Sequence, residues 1–162
     1  MLKYTDTQVV FREFPDEVSL CINISNCTFN CPGCHSPELQ QDIGTELTFK
    51  ELHKLIYSNE GVTLIGFMGG NPEEVNELAE YVKNVDPPLK VGWYWGGNLI
   101  PSEINIENFD YIKLGPYIAE KGPLNNPNTN QKMYKIGECT LPDGTTGMTI
   151  INITNKFWNK ES

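Results

Sequence analysis

Three of the five cysteines fall within eight residues, as Cys27-Thr-Phe-Asn-Cys31-Pro-Gly-Cys34, while Cys21 and Cys139 stand apart. An odd count so unevenly spread is poor arithmetic for disulfides and good arithmetic for ligands. Three thiolates on one loop suit a metal that prefers soft donors, either zinc or an iron–sulfur cluster. Pro32-Gly33 supplies a tight bend that lets Cys31 and Cys34 converge. A structural zinc site takes four protein ligands, and no second C-x2-C pair is present. His35 adjoins Cys34 and is badly placed to share its metal. His53, Cys21 and Cys139 serve only if the fold returns them to the loop. Three ligands without an obvious fourth describe a [4Fe-4S] cluster with one open iron. The plainer readings are buried thiols or a zinc knuckle in a non-catalytic interaction module. For Cys21, in a strand, packing as a small buried hydrophobe is favoured.

The elements around this loop follow from periodicity. Val18 to Ile24 alternates as a strand does and ends where the cysteines begin. Thr48-Phe-Lys-Glu51 is a capping box that opens a helix with Leu52, Leu55 and Ile56 on one face. Val62 to Met68 is an apolar run of strand length, followed by Gly69-Gly70. Asn71-Pro72-Glu73-Glu74 then gives an N-cap, a proline at the first helical position and an acidic first turn, with Val75, Leu78, Ala79 and Val82 as the apolar face. Lys90 to Trp95 reads as a strand ending in Gly96-Gly97-Asn98, and Tyr111 to Leu114 as a strand ending in Gly115-Pro116. The two Gly-Gly-Asn turns lie 27 residues apart, a spacing that fits successive βα units on a parallel sheet. Glycine-rich turns at strand carboxyl ends are where such sheets take ligands. Leu141-Pro-Asp-Gly-Thr145 signals a turn, and Met148 to Thr154 a last strand.

Composition narrows the class. The 162 residues carry 12 basic and 21 acidic side chains, a net charge of −9, which argues against phosphate-neutralising work on nucleic acid or an anionic membrane. No apolar run reaches the ~18 residues of a membrane span, and the first residues lack a signal-peptide core, so the expected location is cytoplasmic. No linker divides the chain, and residues 1–162 read as a single domain.

The motifs resemble those of the radical S-adenosylmethionine (SAM) superfamily. Cys27-x3-Cys31-x2-Cys34 after a strand is similar to its cluster motif, within a cluster loop at 25–36, and Phe67-Met-Gly-Gly-Asn-Pro72 to its glycine-rich motif. The Cys-Pro-Gly-Cys-His run, Leu114-Gly-Pro-Tyr117 and Asn128-Thr-Asn-Gln131 look like the branch that activates anaerobic ribonucleoside-triphosphate reductase. The resemblance implies an α/β fold, an incomplete open (β/α) barrel with mostly parallel strands. It implies one [4Fe-4S] cluster per chain, held by Cys27, Cys31 and Cys34, whose open iron binds SAM. Reduction of the bound SAM would give methionine and a 5′-deoxyadenosyl radical, which takes hydrogen from a glycine of the partner. Gly33, Cys34, His35, Gly69, Gly70, Asn71, Gly96 and Gly97 are the implied cofactor contacts; no catalytic side chain beyond the cluster is implied. Asn71 stands where the family often has an acidic residue.

The implied partners are the glycyl-radical subunit of anaerobic ribonucleotide reductase and a one-electron reductant such as flavodoxin or ferredoxin. Other enzyme readings keep the chemistry and change the substrate: an activase of the pyruvate formate-lyase type, or a small-molecule enzyme of the deazapurine synthase type. Short length favours a protein substrate over a private pocket with a lid. Residues 1–107 hold 6 basic and 16 acidic side chains, and residues 108–162 hold 6 and 5. The charge-balanced part from about 108, with Lys113, Lys121, Lys132 and Lys135, is therefore expected to face the partner or the reductant.

Overall fold

The computed structural model describes residues 2–25 and 43–158. One mixed sheet of eight strands runs in the order β3-β1-β2-β4-β5-β6-β7-β8. The strands are β1 (Lys3–Val10), β2 (Ser19–Ile24), β3 (Thr45–Glu46), β4 (Leu64–Met68), β5 (Lys90–Tyr94), β6 (Tyr111–Leu114), β7 (Lys132–Thr140) and β8 (Thr146–Asn152). Helix α1 (Phe49–Tyr57) precedes β4, and α2 (Pro72–Val85) joins β4 to β5.

The sheet is open, and its strands are not mostly parallel. Only β2, β4, β5 and β6 run parallel, while β1 and β3 on one side and β7 and β8 on the other pair antiparallel. The physical reason is connection length: β7 and β8 are joined by a tight turn, and such turns build antiparallel neighbours. The last strand ends at Asn152 rather than Thr154, which begins a 3-10 turn, Thr154–Phe157.

Both helices form where the sequence marks them. Thr48 Oγ1 accepts from the Glu51 amide at 3.0 Å to start α1. Asn71 Oδ1 accepts from the Glu74 amide at 2.9 Å to start α2, with Pro72 in its first turn. Their apolar faces, Leu52 and Ile56 on α1 and Val75, Leu78, Ala79 and Val82 on α2, bury against Leu20, Ile22, Ile65, Phe67, Val91, Trp93 and Ile112 of the sheet. The Lys83 ammonium of α2 also pairs with Asp110, whose Oδ2 accepts from the Val91 amide at 2.9 Å.

The opposite face holds a second core around Phe14, with Cys21, Leu64, Tyr111, Leu124, Met133 and Ile153. Phe14 comes from the segment between β1 and β2 and is fully buried. It lies across Gly66 and Gly92, which pair in register on β4 and β5. A Cβ at Gly92 would stand 2.3 Å from the Phe14 ring and one at Gly66 2.6 Å from it. Two glycines in mid-strand thus make the groove this ring fills.

Candidate functional site

Because β2, β4, β5 and β6 are parallel, their carboxyl ends share one edge of the sheet. Ser25 follows β2 there, buried, its amide donating to the Lys3 carbonyl oxygen at 2.9 Å. Gly69-Gly70 follows β4, Gly96-Gly97 follows β5, and Gly115 follows β6. The turns are tied together: the Gly115 amide donates to Gly97 O at 2.7 Å, and Trp93 Nε1 to Gly69 O at 2.9 Å. Gly69 and Gly70 have φ of 114° and 95°, a region that strains any side chain. A Cβ on Gly70 would also meet Val75 at 2.7 Å. The fold therefore brings Gly69, Gly70, Gly96 and Gly97 to one edge. Asn71 stands beside them but engages both ends of its amide with Glu74, its Nδ2 donating to Oε1 at 2.6 Å.

On the non-helical face, one row of side chains runs along this edge: Asn23, Met68, Tyr94 and Lys113 are register partners on β2, β4, β5 and β6. Lys113 is 7% exposed. Its Nζ donates to Gly115 O at 3.0 Å and lies 5.2 Å from the centre of the Tyr94 ring. It is thus not a surface charge, whereas Lys121, Lys132 and Lys135, expected with it to face a partner, are exposed. Tyr94 donates its hydroxyl to Glu13, whose carbonyl oxygen and Oε2 lie at 2.7 and 2.9 Å. Burial, and behind it the Glu13 carboxylate, raises the Tyr94 pKa well above the ordinary phenol value, so the hydroxyl remains a donor. The sequence singles out neither residue for this edge: Tyr94 sits unmarked in the strand from Lys90 to Trp95, and Lys113 is expected to face a partner or the reductant. The available signal is period two: Tyr94 alternates with Val91 and Trp93, and Lys113 with Ile112 and Leu114, which belong to the core under the helices.

Neither of the two remaining cysteines reaches the edge. Cys21 is buried beside Phe14 and Gly66, and burial followed by the Glu13 carboxylate pushes its thiol up to about 12. Cys139 lies on β7 past the amino end of β6, opposite Gly147. His53 sits on the exposed side of α1, its Nδ1 3.1 Å from Tyr81 Oη. Among the described residues no group of three or more His, Cys, Asp or Glu could hold a metal. Cys27, Cys31, Gly33, Cys34 and His35 lie outside the described residues. Three thiols in C-x3-C-x2-C spacing form a soft donor set that suits an iron–sulfur cluster.

A family model described as a 4Fe-4S single cluster domain matches residues 17–117. The chain belongs to that family. The match runs from the start of β2 to the turn after β6, the four parallel strands and both helices of this 4Fe-4S domain. Neither a curated protein nor a solved structure matches it. No helix among the described residues is long and apolar enough to cross a membrane.

Proposed function

We propose that this 4Fe-4S protein is a radical SAM activase that generates a glycyl radical on an anaerobic ribonucleoside-triphosphate reductase. One observation carries the reading: the strand that leads into Cys27-x3-Cys31-x2-Cys34 ends at the sheet edge that also gathers Gly69-Gly70, Gly96-Gly97 and the Lys113 ammonium. Cys27, Cys31 and Cys34 would hold the cluster. When bound, the cluster supplies the electron that cleaves the sulfonium of SAM.

The chain's own residues bind and orient. At Gly69 and Gly70 the absence of side chains lets backbone amides and carbonyls approach the amino and carboxylate groups of a methionine moiety. Lys113, next to Tyr94, offers a cation to the carboxylate in a site shielded from water, where a charge contact is worth more than at the surface. Gly33, Cys34 and His35 would meet the adenine side. Phe14 closes the non-helical face below this row, so a ligand enters from the carboxyl edge. Lys121, Lys132 and Lys135 supply exposed positive charge for a protein partner or for an acidic reductant such as flavodoxin or ferredoxin.

The test begins with anaerobic reconstitution. Uptake of four irons per chain, and release of methionine and 5′-deoxyadenosine with reductant and SAM, support the chemistry; failure of either overturns it. Co-incubation with the reductase should then give a glycyl-radical doublet by electron paramagnetic resonance. SAM cleavage without a doublet redirects the activity to another glycyl-radical enzyme or to a small molecule.

A further inference from the structure

The two edges of the sheet are guarded very differently. At one edge β3 is two residues long and carries Glu46, laid on a β1 that carries Lys3 and Asp6. At the other edge β8, Thr-Gly-Met-Thr-Ile-Ile-Asn, is seven residues long and has no charged side chain. Ile150 and Ile151 are 44% and 56% exposed, one on each face of the strand. Among the described residues nothing pairs beyond β8. Soluble proteins usually protect such an edge with lysine, proline, a bulge or brevity; this one has none of these.

We infer that β8 is a homodimer interface, in which two copies of the chain pair their β8 strands antiparallel about Thr149 and join their sheets into one. The strand is self-complementary in that register. Thr149 meets its own copy, and cross-strand Thr pairs are favourable. Met148 of each copy meets Ile150 of the other on the helical face, extending the core that Met148 already joins. On the opposite face Ile151 of each copy meets Gly147 of the other, over which the exposed Leu141 side chain lies, so the contact there is also apolar. Beyond the strand ends, the Asp143 turn of one copy would lie toward the Lys156 end of the other, where Lys156 already pairs with Asp16 at 3.2 Å, so the antiparallel register sets no like-charged ends against each other. The first 107 residues carry most of the chain's negative charge and repel their like, whereas β8 lies in the charge-balanced third. Pairing of one seven-residue strand with its copy is a small contact, on the weak side of the roughly 1,000 Å2 that a specific stable interface should clear, so the association is reversible. The inference does not depend on the proposed function.

Sedimentation and hydrogen exchange test it on the full chain. The wild type should sediment at twice the 18.3 kDa chain mass at concentrations of about 100 μM and dissociate on dilution. Exchange of the outward β8 amides should slow as concentration rises. The double variant Ile150→Lys/Ile151→Lys should sediment as a single chain with an unchanged circular dichroism spectrum, while Tyr57→Lys on α1 should remain dimeric. A single chain at about 100 μM, a dimer that survives both lysines, or a dimer without slowed β8 exchange would overturn the inference. Slowing of β8 exchange only when the reductase is added would overturn the second copy as occupant.

Discussion

The indole of Trp93 donates to the carbonyl oxygen of Gly69 at 2.9 Å, fixing the turn after β4 to the neighbouring strand β5. Trp93 is itself fully buried against Phe109 and Trp95, so the turn is held by a side chain with no freedom of its own. Trp93→Phe keeps an aromatic ring and removes the donor. The expected cost is about 1–3 kcal/mol, from the lost part-buried hydrogen bond and the smaller ring in a fully buried site. If the turn holds SAM, KM for SAM should rise about tenfold as its geometry loosens. Denaturant unfolding reads the first effect and product release kinetics the second; loss of stability with unchanged KM would separate the turn from the ligand.

Gly92 is predicted to be the least replaceable position on the non-helical face. A methyl group there would stand 2.3 Å from the Phe14 ring, and the ring has no exposed side toward which to move. Gly92→Ala should destabilise by about 1–3 kcal/mol through overpacking, and Phe14→Ala by about 3–5 kcal/mol through the cavity it leaves. The double variant should recover part of the Gly92→Ala loss, because the clash no longer exists. Strict additivity of the two changes in denaturant midpoint would contradict this packing.

At the amino end of the parallel strands, Glu17 gathers three donors: Lys90 Nζ at 2.8 Å, Thr63 Oγ1 at 2.7 Å and Tyr111 Oη at 3.1 Å. Its carboxylate is nearly buried, whereas Lys90 is 44% exposed, so the ion pair alone is worth little. The hydrogen bonds decide the outcome. Glu17→Ala should cost about 1–3 kcal/mol by removing the acceptor that Thr63 and Tyr111 share, which leaves their hydroxyls the longer contacts to Val18 O at 3.3 Å and Pro15 O at 3.2 Å, and Lys90→Met should cost less than that. Thermal unfolding of the two variants gives the order, and the reverse order would make the ion pair the dominant contribution.

Alkaline pH should expose the contribution of Cys21. Burial, then the Glu13 carboxylate, lifts its thiol from an ordinary 9.0 to about 12. The folded chain therefore keeps a proton that the unfolded chain loses. That stabilisation is fully present below about pH 9 and disappears as pH rises through 12. Unfolding free energy should fall across this window in the wild type and fall less steeply in Cys21→Ala. Mass-mapped alkylation at neutral pH should find Cys21 protected until the chain unfolds; rapid labelling of the folded protein would refute its assignment as a core thiol.

Much of this fold is legible in the sequence where burial imposes a period. The helices announce themselves through Thr48 and Asn71 caps and through apolar faces at 3.6 spacing, and β2, β4, β5 and β6 through apolar runs closed by glycine. β1 and β7 escape that logic. In β1 no residue is buried, so its sequence shows no alternation. In β7 the buried residues Met133, Ile136 are three apart, which disguises the strand period. The groove for Phe14 was marked by Gly66 and Gly92 at the middle of two neighbouring strands, a signal absorbed into the apolar runs around it. Of the site, spacing finds the glycine turns because parallel strands must end at one edge. Lys113 escapes because a lone lysine reads as surface until the Tyr94 ring beside it is known.

Lys113 gives the sharpest test of the carboxyl edge. Its ammonium is buried next to the Tyr94 ring, and Gly115 O, which it contacts, also lies 3.5 Å from Gln131 Nε2. A purely structural lysine in that position would be exchangeable for a side chain of equal volume. Lys113→Met preserves the packed stem and deletes the charge, so stability should change by less than about 1.5 kcal/mol. SAM affinity, measured by calorimetry on the anaerobically reconstituted protein, should nevertheless fall about 10- to 100-fold, the loss of one shielded charge-assisted contact of roughly 1.5–3 kcal/mol. The affinity of the wild type should weaken with salt more steeply than that of the variant, since one charge pair has gone. Unchanged affinity with a stable fold would move the carboxylate contact elsewhere on the edge.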